Sequence, residues 1–194
     1  MKRKHFVRLA AALVTLATLG ATAAPVGYAL DPHSSWVQFE LSHFATSTIR
    51  GRLGPARGAV VLDAAAGRGE ISIEIDTASV STGFAAFDER IRRDDLLAAA
   101  AHPTAWFVAR SLRFDGARLA EVRGELTLRG ISQPLTLTAV RYRCAPHPEA
   151  PARELCGGDF EGRIKRSDFG IDFGLPFVGD EVTLRVQVEG TRTP

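Results

Sequence analysis

The chain has few of the groups that announce catalysis. Its 194 residues include two cysteines and five histidines. No H-E-x-x-H run and no close His/Cys spacing draws His33, His43, His102 or His147 into a metal site, so neither a metal nor another cofactor is expected. A G-x-S-x-G elbow and a phosphate-cradling glycine loop are also missing, and with them the usual local marks of serine hydrolases and nucleotide enzymes. A triad assembled from distant residues leaves no local trace, but nothing in the pattern points to one. The expectation is a protein that is not an enzyme.

Long apolar runs are equally scarce. The single one, LAAALVTLATLGA, follows the basic start MKRKHFVR and precedes Ala21-Thr22-Ala23. A basic start, an apolar run and a small-residue cleavage site describe a secretory signal peptide at residues 1–23, cut after Ala23. The run is short for a membrane span and no second one follows, so a soluble exported product is expected. No cysteine at the cleavage site provides for a lipid anchor. Removing the leader takes away Lys2, Arg3, Lys4 and Arg8, leaving 20 basic against 22 acidic residues. Without a positive excess the electrostatic footprint of a nucleic-acid binder is absent, and that partner is excluded. Residues 24–194 have the length of a single domain.

What the chain does contain is alternation. In WVQFELSH, Val37, Phe39, Leu41 and His43 share one face while Gln38, Glu40 and Ser42 share the other. The same period recurs with Ile71, Ile73 and Ile75, with Val122, Leu126 and Leu128, with Phe160 and Ile164, and with Val182, Leu184, Val186 and Val188. Short polar breaks such as Gly130-Ile131-Ser132-Gln133 join neighbours as antiparallel hairpins. Only Ala85 to Ala101, with helix formers and Phe87, Ile91 and Leu96 near helical spacing, reads as a helical excursion. Many one-sided strands without βα units indicate an all-β sandwich or closed barrel. Cys144 and Cys156 bracket a proline-rich loop between strands, and in an oxidising compartment they are expected to form a disulfide.

Several segments, taken in order, resemble the YceI-like family of exported proteins. They are Tyr28-Ala29-Leu30-Asp31-Pro32-His33-Ser34, Ser42-His43-Phe44, Gly51, Ala78-Ser79-Val80-Ser81-Thr82, GELTLRGISQPLTL, IKRSDFGI and GDEVTLRVQVEG. The resemblance spans about residues 27 to 190. It implies an extended, lipocalin-like antiparallel barrel of eight strands whose apolar interior holds an amphiphilic isoprenoid lipid, a polyisoprenoid or isoprenoid quinone, in the periplasm. It also implies a carrier rather than a catalyst, in transient contact with the membrane or with envelope proteins. The departures bear on ligand choice: Phe87–Leu97 lacks the family's usual Arg-Asp-x-His-Leu run, and Leu96-Leu97-Ala98-Ala99-Ala100-Ala101 replaces a phenylalanine-rich stretch.

On this reading the ligand-binding candidates are His43 with the rings of Phe39, Phe44, Phe84, Phe87, Trp106, Phe107, Phe169 and Phe173, together with Ile91. His43 either donates a hydrogen bond to a head group or is an imidazole satisfied within the core. Arg90, Arg92 and Arg93 either meet an anionic head or form a solvated face with Asp88, Glu89, Asp94 and Asp95. A second functional reading is an exported β-barrel interaction module that recognises an envelope protein through its loops. The two differ inside: a module has a filled core, whereas small inward residues such as Gly124, Ala139 and Gly162 would leave a binder its tunnel.

Overall fold

Alternating apolar residues become strands because each strand can then present one dry face to a common interior. A computed structural model describes residues 24–64, 66–116 and 118–194; the expected signal peptide at 1–23 lies outside the described residues. The strands are β1 (Val26–Leu30), β2 (Trp36–His43), β3 (Ser47–Leu53), β4 (Ala56–Asp63) and β5 (Arg68–Asp76), then β6 (Thr104–Asp115), β7 (Arg118–Leu128), β8 (Ile131–His147), β9 (Ala150–Lys165) and β10 (Val178–Arg192). Alternation is plainest in β8, where Leu135 and Leu137 are buried while Thr136 and Thr138 are exposed.

Hydrogen-bonded neighbours run β1-β4-β5-β6-β7-β8-β9-β10 and return to β1, so eight antiparallel strands close the expected barrel. The β2–β3 hairpin extends its wall. One edge of β10 pairs with β2 over Val178–Gln187 and with β1 over Gly190–Arg192, which sets β1 and β2 end to end. At the break between them, buried Ser35 and Asp31 replace the missing ladder: the Ser35 hydroxyl donates to the Glu189 carbonyl (3.3 Å) and accepts from the Glu189 N–H (3.2 Å), while the Asp31 N–H donates to the same carbonyl (2.8 Å).

Beyond the end of β5, a strap over residues 77–82 takes that strand's place beside β3. Arg52 and Ser81 exchange two backbone hydrogen bonds of 2.9 Å, and Val80 is buried behind them. The helical excursion follows, and its helix, α1 (Ala85–Ile91), occupies only the first seven residues. Past it, the Arg129 guanidinium donates to the carbonyls of Asp94 (2.7 Å) and Leu96, and Ala98 turns to φ 49°. Carbonyls satisfied by a side chain need no further helical turn, so the segment coils back and buries Ala98 and Ala99.

Gly124 and Gly162 do not leave the tunnel anticipated for them. A Cβ at Gly124 would lie 2.8 Å from Phe107 Cζ, and one at Gly162 would lie 2.9 Å from Leu137 Cδ2 and 3.0 Å from Leu135 Cδ1. Larger neighbours already fill the space. Ala139 likewise packs against the core cluster. Tyr28, Leu62, Ile71, Leu119, Val122 and Phe160 belong to that cluster and narrow the barrel toward the end where its termini lie.

The β8–β9 hairpin is the longest, and Cys144 and Cys156 oppose one another in it and are joined as a disulfide. Closing a short loop in the unfolded chain is worth about 3 kcal/mol in the chain-entropy account. The C144S/C156S double variant is therefore expected to lose about 2–3 kcal/mol in urea unfolding while keeping its β-sheet circular dichroism. An unchanged midpoint would show that the bridge constrains little.

Candidate functional site

The connections β2–β3, β5–β6, β7–β8 and β9–β10 gather at the opposite end of the barrel, and there the interior is open. A cavity of about 370 Å³ lies between the strands, α1 and the β9–β10 loop. The whole inward set of β2, Val37, Phe39, Leu41 and His43, lines it, facing aliphatic residues such as Leu126, Val182 and Leu184. Phe39 reaches across β3 because Gly51 opposite it has no side chain to obstruct the ring. His43, Arg90 and Arg166 are the titratable side chains in the lining.

The lid over this cavity is held by charge. Asp88 on α1 accepts 2.6 Å hydrogen bonds from the Thr82 N–H and hydroxyl. Arg92 donates to the carbonyls of Ala78 (2.8 Å) and Val80 (3.1 Å), tying the helix to the strap. Phe87 and Ile91 then point down into the cavity, and Leu96 and Leu97 follow them there. Arg90 forms a two-pronged pair with Asp95 at 2.6 and 2.5 Å, and its guanidinium lies 4.2 Å from the centre of the Phe173 ring. Arg90 and Arg92 thus spend their donors within the protein, close to the solvated-face alternative of the sequence.

Arg166 fixes the other rim. It is buried, and its guanidinium donates to the carbonyls of Gly179 (2.8 Å), Ile171 (3.0 Å), Phe173 (2.9 Å) and Val178 (2.9 Å). Burial lowers its pKa, while Asp180 and Asp172 act the other way. Asp180 in turn accepts from the Ser167 N–H (2.9 Å) and hydroxyl (2.8 Å). One cation therefore ties two carbonyls of a loop with little ladder of its own to two at the start of β10, and the loop carries Phe173 to the cavity.

Of the ten candidates, Phe39, His43, Phe87, Ile91, Trp106, Phe107 and Phe173 come together around the cavity. Trp106 is 41% exposed and contributes from the rim, since its neighbour Phe107 holds the inward register. Phe44, Phe84 and Phe169 lie outside the lining. Phe44 sits past the strand end at φ 52°, its ring 4.4 Å from that of His43 and 6.0 Å from that of Phe177. Phe84 precedes the first turn of α1 and faces solvent, and Phe169 is fully buried in a 3₁₀ turn (Arg166–Phe169). His43 is half-buried, and among the described residues its ring has no hydrogen-bond partner. The aromatic candidates leave out the aliphatic majority of the wall, whose signal is the alternation itself. Arg166 stands within IKRSDFGI, but nothing in that run marks a buried clamp.

The YceI-like domain family profile matches residues 28–190. The chain belongs to the YceI-like family. It is 32% identical over 189 residues to a UPF0312 protein of Ectopseudomonas mendocina, covering 95% of this chain and 97% of the relative. Protein YceI of Escherichia coli O157:H7 is 30% identical over 191 residues, 98% of each chain. Among solved structures, a polyisoprenoid binding domain from Saccharophagus degradans, implicated in plant cell wall breakdown, superposes with a TM-score of 0.58 at 19% identity. That match covers 86% of this chain and 98% of the other, and the likeness is one of fold. In this chain, the family-like stretch Ala78–Thr82 forms the strap beside β3, and Arg166 of IKRSDFGI clamps the β9–β10 loop.

Asp88 of the lid and Asp180 of the rim are both shifted, as is Asp95, held down by its hydrogen bonds from Arg90. Hydrogen bonds from the Thr82 hydroxyl and then its N–H hold Asp88 below its ordinary value of 3.8. Burial pushes Asp180 up, but hydrogen bonds from Ser167 and the charges of Arg166 and Lys165 outweigh it, so Asp180 also falls below 3.8. Each ionises more readily folded than unfolded. Their stabilisation is complete above the ordinary carboxylate range and is lost as pH falls through it toward the depressed folded values. Unfolding free energy should therefore decline from about pH 6 to about pH 3, and a D88N/D180N variant, less stable at the upper end, should show a shallower decline. Equal slopes in urea titrations of the two proteins would remove these carboxylates from the account.

Proposed function

We propose that this protein is a periplasmic carrier that takes up the hydrocarbon chain of a polyisoprenoid lipid or isoprenoid quinone, with no chemical step. The observation that carries this reading is the cavity, walled by inward aliphatic and aromatic side chains from strands on all sides. Each CH₂ moved from water into such a wall gains about 0.8 kcal/mol, so a chain of several isoprene units needs no polar anchor. The family profile and the fold shared with a polyisoprenoid binding domain support the ligand class. The alternative, an exported interaction module with a filled core, is disfavoured because the mouth half of the barrel is not filled.

Export to the periplasm rests on the leader at 1–23 and on the disulfide, which suits an oxidising compartment. With Arg90 and Arg166 engaged inside the protein, His43 is the lining group available to a quinone oxygen or lipid head. Phe44, Phe84, Phe173 and Phe177, between 51% and 67% exposed, all sit on connections at the cavity end and suit contact with the membrane that supplies the lipid.

Native mass spectrometry of protein taken from its own host should find a bound species that organic extraction identifies as isoprenoid. A clean apo mass, with no uptake of added polyprenyl lipids or quinones, would contradict the carrier reading. Phospholipid vesicles should sediment with the protein, and an F44S/F177S variant should be retained several-fold less. Equal retention would take the mouth phenylalanines out of membrane contact.

A further inference from the structure

The barrel interior holds two chambers, and the division between them falls at one level. Behind the 370 Å³ cavity lies a smaller one of about 70 Å³. Four side chains line both: Ile73 of β5, Phe107 of β6, Leu137 of β8 and Val186 of β10. They come from strands on opposite sides of the ring, and so form a constriction across the lumen. Phe107 is its largest member. It is buried, pairs across the sheet with Ile73 and Leu126, and its ring tip rests on the backbone of Gly124. No side chain at Gly124 competes for that seat, so the ring stays in the lumen at a defined depth.

The inner chamber is apolar along its sides but ends in polar groups. Tyr28 and Tyr142 line it, and the Tyr28 hydroxyl donates a 2.6 Å hydrogen bond to the Glu154 carboxylate. A hydrocarbon end pushed that deep would lie against this pair, whereas one stopped at the constriction touches only carbon.

We propose that Phe107, with Ile73, Leu137 and Val186, is the stop that fixes how long an apolar chain the barrel accepts. This inference rests on the carrier reading above. In the wild-type protein, affinity rises with each isoprene unit until the chain meets Phe107 and then ceases to rise. Opening the constriction joins the two chambers and moves that limit to longer chains.

The test uses all-trans prenyl alcohols of increasing length, each titrated by native mass spectrometry into the delipidated full-length mature protein and its F107A variant. For the first length past the wild-type limit, F107A should bind at least about 10-fold more tightly than the wild type, so that the length at which affinity stops rising moves up by at least one isoprene unit. F107L, which keeps the core more nearly filled, should give an intermediate limit and carries the test if F107A does not fold. The same limit in the wild type and a folded variant would overturn the stop while leaving the carrier reading intact. No binding of any alcohol to the wild type would sink both.

Discussion

Everything in this protein depends on closure of the sheet. A ring in which β1 pairs with both β4 and β10 has no free edge at that level, so each of its strands must satisfy its backbone on both sides and turn every second residue inward. Closure fixes the girth, and girth fixes how much side chain the inside needs. Toward the termini, Tyr28, Leu62, Leu119 and Phe160 meet and pack. Toward the connections the wall is largely aliphatic and stays apart. The cavity follows from one ring filled unevenly along its axis.

The cost of that arrangement falls at the open end, where the ladder gives out and side chains must hold the chain. Arg166 holds four carbonyls of the β9–β10 loop and the start of β10, Arg129 two, and Arg92 two more. These cations stand in for the sheet and helix hydrogen bonds that irregular backbone lacks. The guanidinium groups of Arg92, Arg129 and Arg166 are thereby spent on building the mouth. Of the titratable groups in the cavity lining, Arg90 and Arg166 are engaged within the protein, which leaves His43 available.

Much of this architecture is legible in the order of the residues. The period of two in WVQFELSH puts His43 on the inward face beside Leu41, and both line the cavity. Cys144 and Cys156 are legible as a bridge because they are the chain's two cysteines and lie close together along it. Other features depend on contacts between distant residues and have no local signature. Whether Gly124 opens a tunnel or seats a ring is decided by Phe107 on the neighbouring strand, and the coil after α1 is held by Arg129, far along the chain. Phe44 shows the limit of face assignment: beyond the last paired residue of a strand the alternation ends, and the ring turns outward. The lid residues Leu96 and Leu97 reach the cavity through a coil whose path is set by Arg129 and a left-handed Ala98.

The central claim is that the ligand lies inside the barrel, against the inward face of the strands. Methyl NMR of protein labelled at Ile, Leu and Val, recorded with and without a prenyl alcohol, tests it most directly. The account predicts shifts concentrated at Leu41, Ile75, Leu126, Val182 and Leu184 around the cavity, with the outward Val61, Val108 and Val140 unmoved. Shifts confined to the outward valines, with the inward methyls unchanged, would contradict it.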